Sequence, residues 1–323
     1  MNIVITGANG FVGQALVSRL LRLKALNGTT IRSLRLFDQT FSIPMSDTGW
    51  VQYCEGDLCD QHWLQAHLCQ LPVDVIFHLA SIPGGVAERN YRLARDVNLE
   101  ATTRLLEYGQ AQVMAGGQAP IFVFASSIAV FGDMPDQVGE QTPPNPTMSY
   151  GTHKAIGELL VNDFSRRGWV QGRSLRLPGV LARPKQRTGQ VSAFLSDIIW
   201  EVSAGQSFVC PISAQSRTWA SSRKNVVDNL IQAAGLKQES LAGRCQLTLP
   251  TLWFSMAQLV DAISQVAQVP GESLVSYAPD PLLEKWFGSY PALDTSREQA
   301  LGLYSDNDLQ TLVRQSTVSE NRS

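Results

Sequence analysis

The stretch Asn2-Ile3-Val4-Ile5-Thr6-Gly7-Ala8-Asn9-Gly10-Phe11-Val12-Gly13 decides how the rest of the chain is read. Asn2–Thr6 is a short apolar run closed by a glycine, the pattern of a buried strand. Residues 11–25 then show helical periodicity. Between the two, three glycines stand at GxxGxxG spacing. Gly7 permits a tight turn, Gly10 lets backbone N–H groups approach a diphosphate, and Gly13 lets the helix pack closely on the strand. Asn9, Phe11 and Val12 complete the loop and the first helical turn, where the helix dipole favours an anion. Strand, glycine loop and helix in this order are the context a dinucleotide-binding loop requires.

Beyond this stretch, β-rich runs and helical stretches keep alternating. Strands are expected at 31–37, 51–55, 73–79, 121–125 and 173–178. Helices are expected after Asp60, over 89–114 and over 150–167. The alternation predicts an α/β fold, a Rossmann-type doubly wound parallel sheet with helices on both faces. After residue 180 the texture is less regular, with helices at 192–203, 226–234 and 256–268 and a strand at 245–249. The expected organisation is an NAD-binding Rossmann domain over 1–180 and a smaller C-terminal substrate-binding lobe mainly over 181–315. Some segments of that lobe return to the first domain, and 316–323 form a polar, flexible tail.

Bulk properties narrow the classes of function. The chain has 323 residues, 44% of them hydrophobic, with a formal charge of −2. That balance gives no electrostatic case for nucleic acid or an anionic membrane as partner. No apolar run approaches the ~20 residues needed to cross a bilayer. The first residues lack a basic start and a cleavage site, so a cytoplasmic protein is expected. Five cysteines without framework spacing read as free thiols. Cys54, Cys59, His62, His67 and Cys69 fall close together but lack CxxC or HxxxH spacing and lie on different elements, so no metal site is expected.

Ligands of such sheets bind outside the carboxyl ends of the strands. Asp38 ends the second strand, where a carboxylate can accept hydrogen bonds from ribose hydroxyls and repel a 2′-phosphate. Its distance from the glycine loop is somewhat over the usual ~20 residues because of the insertion at Asn27-Gly28. Arg32 and Arg35 lie within that strand rather than after it, which favours NAD over NADP. Asp57 and Leu58 end the third strand, Leu79, Ala80 and Ser81 the fourth, and Pro178 and Val180 the sixth. Asp57, Leu58, Leu79, Ala80, Pro178 and Val180 are candidate cofactor contacts; Ser81 is a candidate for a substrate hydroxyl.

Ser126 and Ser127 end the fifth strand, and Tyr150-Gly151-Thr152-His153-Lys154 opens the next helix. Positions i and i+4 share a helical face, so Tyr150 and Lys154 point the same way. Free tyrosine titrates near ~10, too high for a base at neutral pH. A nearby ammonium favours the phenolate. Tyr150 can then take the proton of a substrate alcohol while hydride leaves the adjacent carbon. Ser127 would hold the same oxygen, and Lys154 would also bind the nicotinamide ribose. His153 is off the Lys154 face and is expected at the surface or beside the cofactor.

The glycine loop, Asp57, His78-Leu79-Ala80, Asn98, Ser126-Ser127, Tyr150-x-x-x-Lys154 and Arg176-Leu177-Pro178 together resemble the extended short-chain dehydrogenase/reductase family. That family includes nucleotide-sugar epimerases and dehydratases. The resemblance covers nearly the whole chain, ending with Asp294-Thr295-Ser296-Arg297 and Leu301-Gly302. It implies a Rossmann domain, bound NAD, a Ser127/Tyr150/Lys154 site with Asn98 in support, and a homodimer through helices 89–114 and 150–167. Ile128-Ala129 after Ser127 cannot supply the acid pair of the dehydratases, and 176–184 depart from the epimerase pattern.

Arg176-Leu177-Pro178, Arg183-Pro184, Ser192-Ala193-Phe194, Ile198-Ile199, Val209-Cys210-Pro211 and the helix around Gly157-Glu158 are similar to the D-erythronate dehydrogenase branch. Ala80 through Gly85 and Thr188-Gly189 are less typical of it. The branch implies oxidation of a small sugar acid at C2, a four-carbon aldonate such as D-erythronate giving 2-oxo-tetronate. Its carboxylate needs a cation, for which Arg183 and Arg217 are the candidates. Cys210 reads as a packed small residue. Two other readings stay open: a nucleotide-sugar 4-epimerase with tightly bound NAD, and a non-catalytic NAD-sensing protein.

Overall fold

The computed structural model describes residues 1–41, 49–184 and 192–317. It holds two compact units. The first comprises Met1–Gly132, Pro144–Arg176 and Val227–Thr248; the second comprises Asp133–Pro143, Leu177–Val226 and Leu249–Ser323.

In the first unit, strands β1 (Asn2–Thr6), β2 (Ser33–Asp38), β3 (Val51–Glu55), β4 (Val75–His78), β5 (Ile121–Ser127), β6 (Gln171–Leu177) and β7 (Gln246–Thr248) form one sheet. Their order is β7-β6-β5-β4-β1-β2-β3. β1 pairs in parallel with β2 and β4, β2 with β3, β4 with β5, and β6 with β7. The longer helices are α1 (Phe11–Leu23), α2 (Gln61–Leu68), α3 (Ala101–Met114), α4 (Ser149–Arg166) and α5 (Arg223–Ala234), the last belonging to this unit from Val227 on. Ile3, Val4, Ile5, Val75, Ile76 and Phe77 are fully buried in sequence, as expected of strands covered on both faces. The strand order reverses beside β1. The crevice between the ends of β1 and β4 is therefore the place for a nucleotide in this topology. This is the doubly wound sheet that the alternation predicted.

Two strand arginines are fully buried. Arg35 on β2 donates to the carbonyls of His67 (2.6 Å), Leu68 (3.1 Å) and Leu71 (3.1 Å), at and beyond the end of α2. Arg173 on β6 donates to those of Ala233 (3.2 Å) and Leu236 after α5. A helix C-terminus has orphan carbonyls and negative dipole, so each cation is compensated where it is buried.

The expected single helix over 89–114 is broken. Asn90 closes the short helix Gly84–Arg89, and its side chain caps the next, Tyr91–Arg95, by accepting from the Leu93 N–H at 3.2 Å. Asp96–Glu100 then forms a π-helical turn before α3 begins. The Asn90 backbone, at φ −136°, is far from helical, which sequence periodicity does not register.

In the second unit, Gly179–Leu181, Arg217–Ser222 and Leu252–Ser255 make a three-stranded sheet. Its core gathers Leu181, Ile198, Ile199, Phe254, Met256, Ile263 and Leu312. The helix Met256–Ala267 starts on a reciprocal Ser255–Gln258 capping box. The helix Leu309–Thr317 takes in the first two residues of the expected tail; 318–323 lie outside the described residues. Among the described residues no helix is long and apolar enough to cross a membrane.

Candidate active site

The glycine loop is built as a cradle. Gly7 has φ +69°, and a Cβ there would lie 2.7 Å from the Ala80 nitrogen. A Cβ at Gly13 would lie 2.0 Å from the Gly7 carbonyl oxygen. Neither position admits a side chain. Gly10 is the N-cap of α1 and carries no side-chain cap, so the first turn of α1 faces the loop without a built-in anion. The Asn9 N–H donates to Asp38 Oδ2 at 2.8 Å, and the Gln39 N–H to Oδ1 at 2.8 Å. Asp38 is thereby held against the loop at the end of β2. These features fit a dinucleotide whose diphosphate lies at α1 and whose ribose meets Asp38. Arg35 is committed to α2 and cannot turn toward a 2′-phosphate. Asp57 is exposed and accepts from the Cys59 N–H at 2.9 Å, while Leu58 is buried.

The crevice between β1 and β4 has a directional hydrogen-bond chain beneath it. Thr6 and His78 are register partners at the strand ends. Thr6 Oγ1 lies 2.6 Å from His78 Nδ1, and His78 Nε2 lies 2.8 Å from Thr102 Oγ1. Thr102 Oγ1 donates to the Asn98 carbonyl at 2.8 Å, so it must accept from the imidazole. The hydrogen therefore sits on His78 Nε2, and Nδ1 accepts from Thr6. Thr6 in turn accepts from the Ala80 N–H at 3.3 Å. Burial drives the His78 pKa down to about 3, so the ring stays neutral. Asn98, inside the π turn, clips the backbone of Ile82 in both directions, accepting from its N–H at 2.8 Å and donating to its carbonyl at 3.1 Å. The segment Leu79–Ile82, which holds Ser81, is thus pinned at both ends. Thr6, His78 and Thr102 were not singled out from the sequence as site residues; their contacts join distant segments.

At the edge of β5, Ser127 starts a single turn of 3-10 helix, its Oγ accepting from the Ala129 N–H at 3.1 Å. Tyr150 lies in the first turn of α4. Gly151 brings that turn onto the one after Ser127, since a Cβ there would lie 2.2 Å from the Ala129 carbonyl oxygen. Lys154 is 1% exposed. Its Nζ lies 4.7 Å from the centroid of the Phe124 ring and 5.6 Å from that of Tyr150. Burial pulls the Lys154 pKa down to about 7, with the Glu158 carboxylate opposing that fall. Ser127, Tyr150 and Lys154 are therefore brought to one edge of the sheet. The Ser126 hydroxyl is committed to Glu158 Oε1 at 2.6 Å, which leaves its backbone for any cofactor contact.

His153 is not at the surface, one of the two places expected for it. It is 1% exposed and packed 5.5 Å from the Tyr91 ring, and among the described residues neither ring nitrogen has a hydrogen-bond partner. Helix α4 is covered on a second side by the 84–95 helices, so a position off the Lys154 face is still interior.

In the second unit, Pro178 and Val180 are buried, and Val180 pairs with Ser221. Arg183 is half-buried; its N–H donates to Ser196 Oγ at 3.0 Å and its carbonyl accepts from Trp200 Nε1 at 2.7 Å. Arg217 is exposed, with its guanidinium 4.4 Å over the Trp253 ring. Thr188-Gly189 lie outside the described residues. Cys210 is buried and its thiol is pushed up by desolvation, the state of a packed small residue.

Comparison with known proteins agrees with this geometry. The model of the NAD dependent epimerase/dehydratase family matches residues 3–232. A D-erythronate dehydrogenase of Cupriavidus necator is 35% identical over 97% of each chain, and one of Haemophilus influenzae is 33% identical over 98% of each. The crystal structure of a nucleoside-diphosphate-sugar epimerase from Agrobacterium tumefaciens superposes with a TM-score of 0.88 at 31% identity, covering 97% of this chain and 92% of that one. With a glycine cradle at the β1/β4 crevice and a match of this extent, the chain belongs to the NAD-dependent epimerase/dehydratase family.

Proposed function

We propose that the protein is an NAD-dependent dehydrogenase of a small sugar acid, oxidising the C2 hydroxyl of a D-erythronate-like four-carbon aldonate to the 2-oxo acid. The observation that carries this reading is the buried Lys154 over the rings of Phe124 and Tyr150, beside the turn that Ser127 begins. The similarity to two D-erythronate dehydrogenases over nearly the full chain supports this substrate class.

In this reading, bound NAD supplies the acceptor for the hydride leaving C2. Ser127 Oγ holds the substrate oxygen. Tyr150 takes the hydroxyl proton as the carbonyl forms, and Lys154 stabilises the phenolate and binds the nicotinamide ribose. General-base catalysis of this kind contributes about 10²–10⁴-fold. Arg183 and Arg217 are the candidates for the substrate carboxylate; since Arg217 is exposed and stacked on Trp253, Arg183→Ala is the more informative variant. It raises KM for the acid more than it lowers kcat if that residue binds uniformly. Asp38, held against the glycine loop, makes NAD the preferred cofactor.

The test is absorbance at 340 nm with NAD or NADP and a panel of four- and five-carbon sugar acids. NADH formation with D-erythronate or a relative is expected, with NAD well ahead of NADP. No signal across the panel overturns the reading. We also propose a cytoplasmic homodimer built on α3 and α4, because Leu159 and Ile156 on α4 and Met114 on α3 present apolar side chains outward. Leu159→Arg then sediments as a monomer; an unchanged sedimentation coefficient in that variant, or a monomeric wild type, refutes it.

A further inference from the structure

Behind the proposed site lies a buried ion pair that its chemistry does not use. Glu158 and Arg176 are both buried, with side chains 2% and 7% exposed. Arg176 Nε donates to Glu158 Oε1 at 2.9 Å and Nη2 to Oε2 at 2.7 Å, a two-pronged contact. Ser126 Oγ adds a third bond, to Oε1 at 2.6 Å. The same guanidinium lies 4.9 Å from the centroid of the Phe131 ring. Ser126 and Phe131 flank Ser127 and the turn Ile128–Val130 that follows it. One charged pair therefore grips both ends of the segment that aims Ser127.

The pair also faces Lys154. Residues 150, 154 and 158 repeat at i, i+4 and i+8, along one side of α4. The Glu158 carboxylate stands one turn beyond the Lys154 ammonium and is the charge that opposes the burial-driven fall in its pKa. The other titratable groups around this lysine are Tyr150 and, on the adjoining face of α4, His153, with His78 on β4 stacked on the Phe124 ring; Arg176 comes from β6. His78 and Arg176 carry no negative charge, and His153 is driven neutral by burial. Stability is a poor explanation for such a pair, because a buried ion pair usually gains little over an apolar replacement.

We propose that Glu158 and Arg176 are positioning residues: the pair fixes the backbone on either side of Ser127, and its carboxylate keeps Lys154 charged beside Tyr150. The proposal rests on the dehydrogenase reading for its catalytic consequence but not for its electrostatics. The experiment is therefore a titration of the Lys154 side chain by NMR in lysine-labelled protein, the resonance identified by its loss in Lys154→Met. Glu158→Gln lowers the titration point by about one pH unit or more, the size of effect an opposite charge exerts at close range. Glu158→Gln combined with Arg176→Gln leaves no unpaired buried charge and gives a smaller shift in the same direction, because the guanidinium's repulsion is removed with the carboxylate's attraction; it serves should the single variant not fold. An unchanged titration point in the folded variant overturns the proposal whether or not any sugar acid is turned over. In wild type shown to make NADH, Glu158→Gln also lowers kcat at least tenfold with KM for the acid within about twofold, and moves the acid limb of the pH profile downward with Lys154. A fall in melting temperature with kcat and limb unchanged overturns it as well.

Discussion

Burial leaves Lys154 titrating at about 7, far below a free lysine. A lysine charged at all working pH values would simply hold the Tyr150 phenolate. In the proposed mechanism Tyr150 and this lysine would share one exchangeable proton in the range where the enzyme works, and lose it as a pair. The active form has lost one proton from that pair. The expected kcat/KM for oxidation therefore rises with pH and levels off above an apparent pKa near 7, and Tyr150→Phe lowers the plateau by about 10²–10⁴-fold. A pH-rate profile flat from 5.5 to 8.5 contradicts this. The common face of Tyr150 and Lys154 was legible from their spacing on a helix, but the pair stood out only beside the glycine loop and the serine pair that ends β5. His153 was not legible: spacing says which way it leaves α4, but not that Tyr91 and its neighbours cover that side. With both ring nitrogens buried and without a hydrogen-bond partner among the described residues, each polar atom costs free energy. His153→Leu is expected to raise stability or leave it unchanged, by 0 to about 2 kcal/mol in urea unfolding. A loss of that size instead would show that the ring makes a polar contact.

Elements position these residues through close approach. α4 lies so near β5 that a Cβ on Gly157 would come within 2.6 Å of Phe124 Cζ. In an open helix Gly→Ala stabilises by about 1 kcal/mol. Here overpacking costs about 1–3 kcal/mol, so the balance turns unfavourable. Gly157→Ala should lower the melting temperature, and by displacing the Phe124 ring it should disturb Lys154. A raised melting temperature would mean that Phe124 yields freely. From sequence, the existence of α4 and β5 was plain, whereas nothing there marked Gly157 as the residue that sets their separation. The π turn at Asp96–Glu100 is the same kind of case. Its sequence carries no Gly or Pro to mark a change, and Asn98 within it bonds the Ile82 backbone in both directions. π turns of this sort recur at functional sites.

At the scale of the molecule, the alternation of strands and helices made the sheet readable, because each βα unit is local in sequence. Membership of the two units was less readable, since it depends on pairing far along the chain. Gln137–Val138 belongs with the second unit because it pairs with Ala292–Leu293. The interior of the first unit also fixes how the fold responds to acid. His78 is neutral in the folded state down to about 3, and burial lowers His153 as well. In the unfolded chain both take protons near the ordinary value of about 6.5. Above that pH neither state binds the proton, and the histidines' contribution is at its full value. Below it the unfolded chain gains protons that the folded chain refuses, so stability is lost as pH falls, by about 1.4 kcal/mol per pH unit for His78 alone until about 3. Carboxylates join in only nearer pH 4, which leaves a window from about 6 to 5 in which the histidines dominate. Urea unfolding across that window should show stability falling with acid, and His78→Gln, whatever its stability at neutral pH, should fall less steeply by about one proton. Equal slopes in the two proteins would mean that His78 is protonated in the fold, which would undo the hydrogen-bond directions assigned between Thr6 and Asn98.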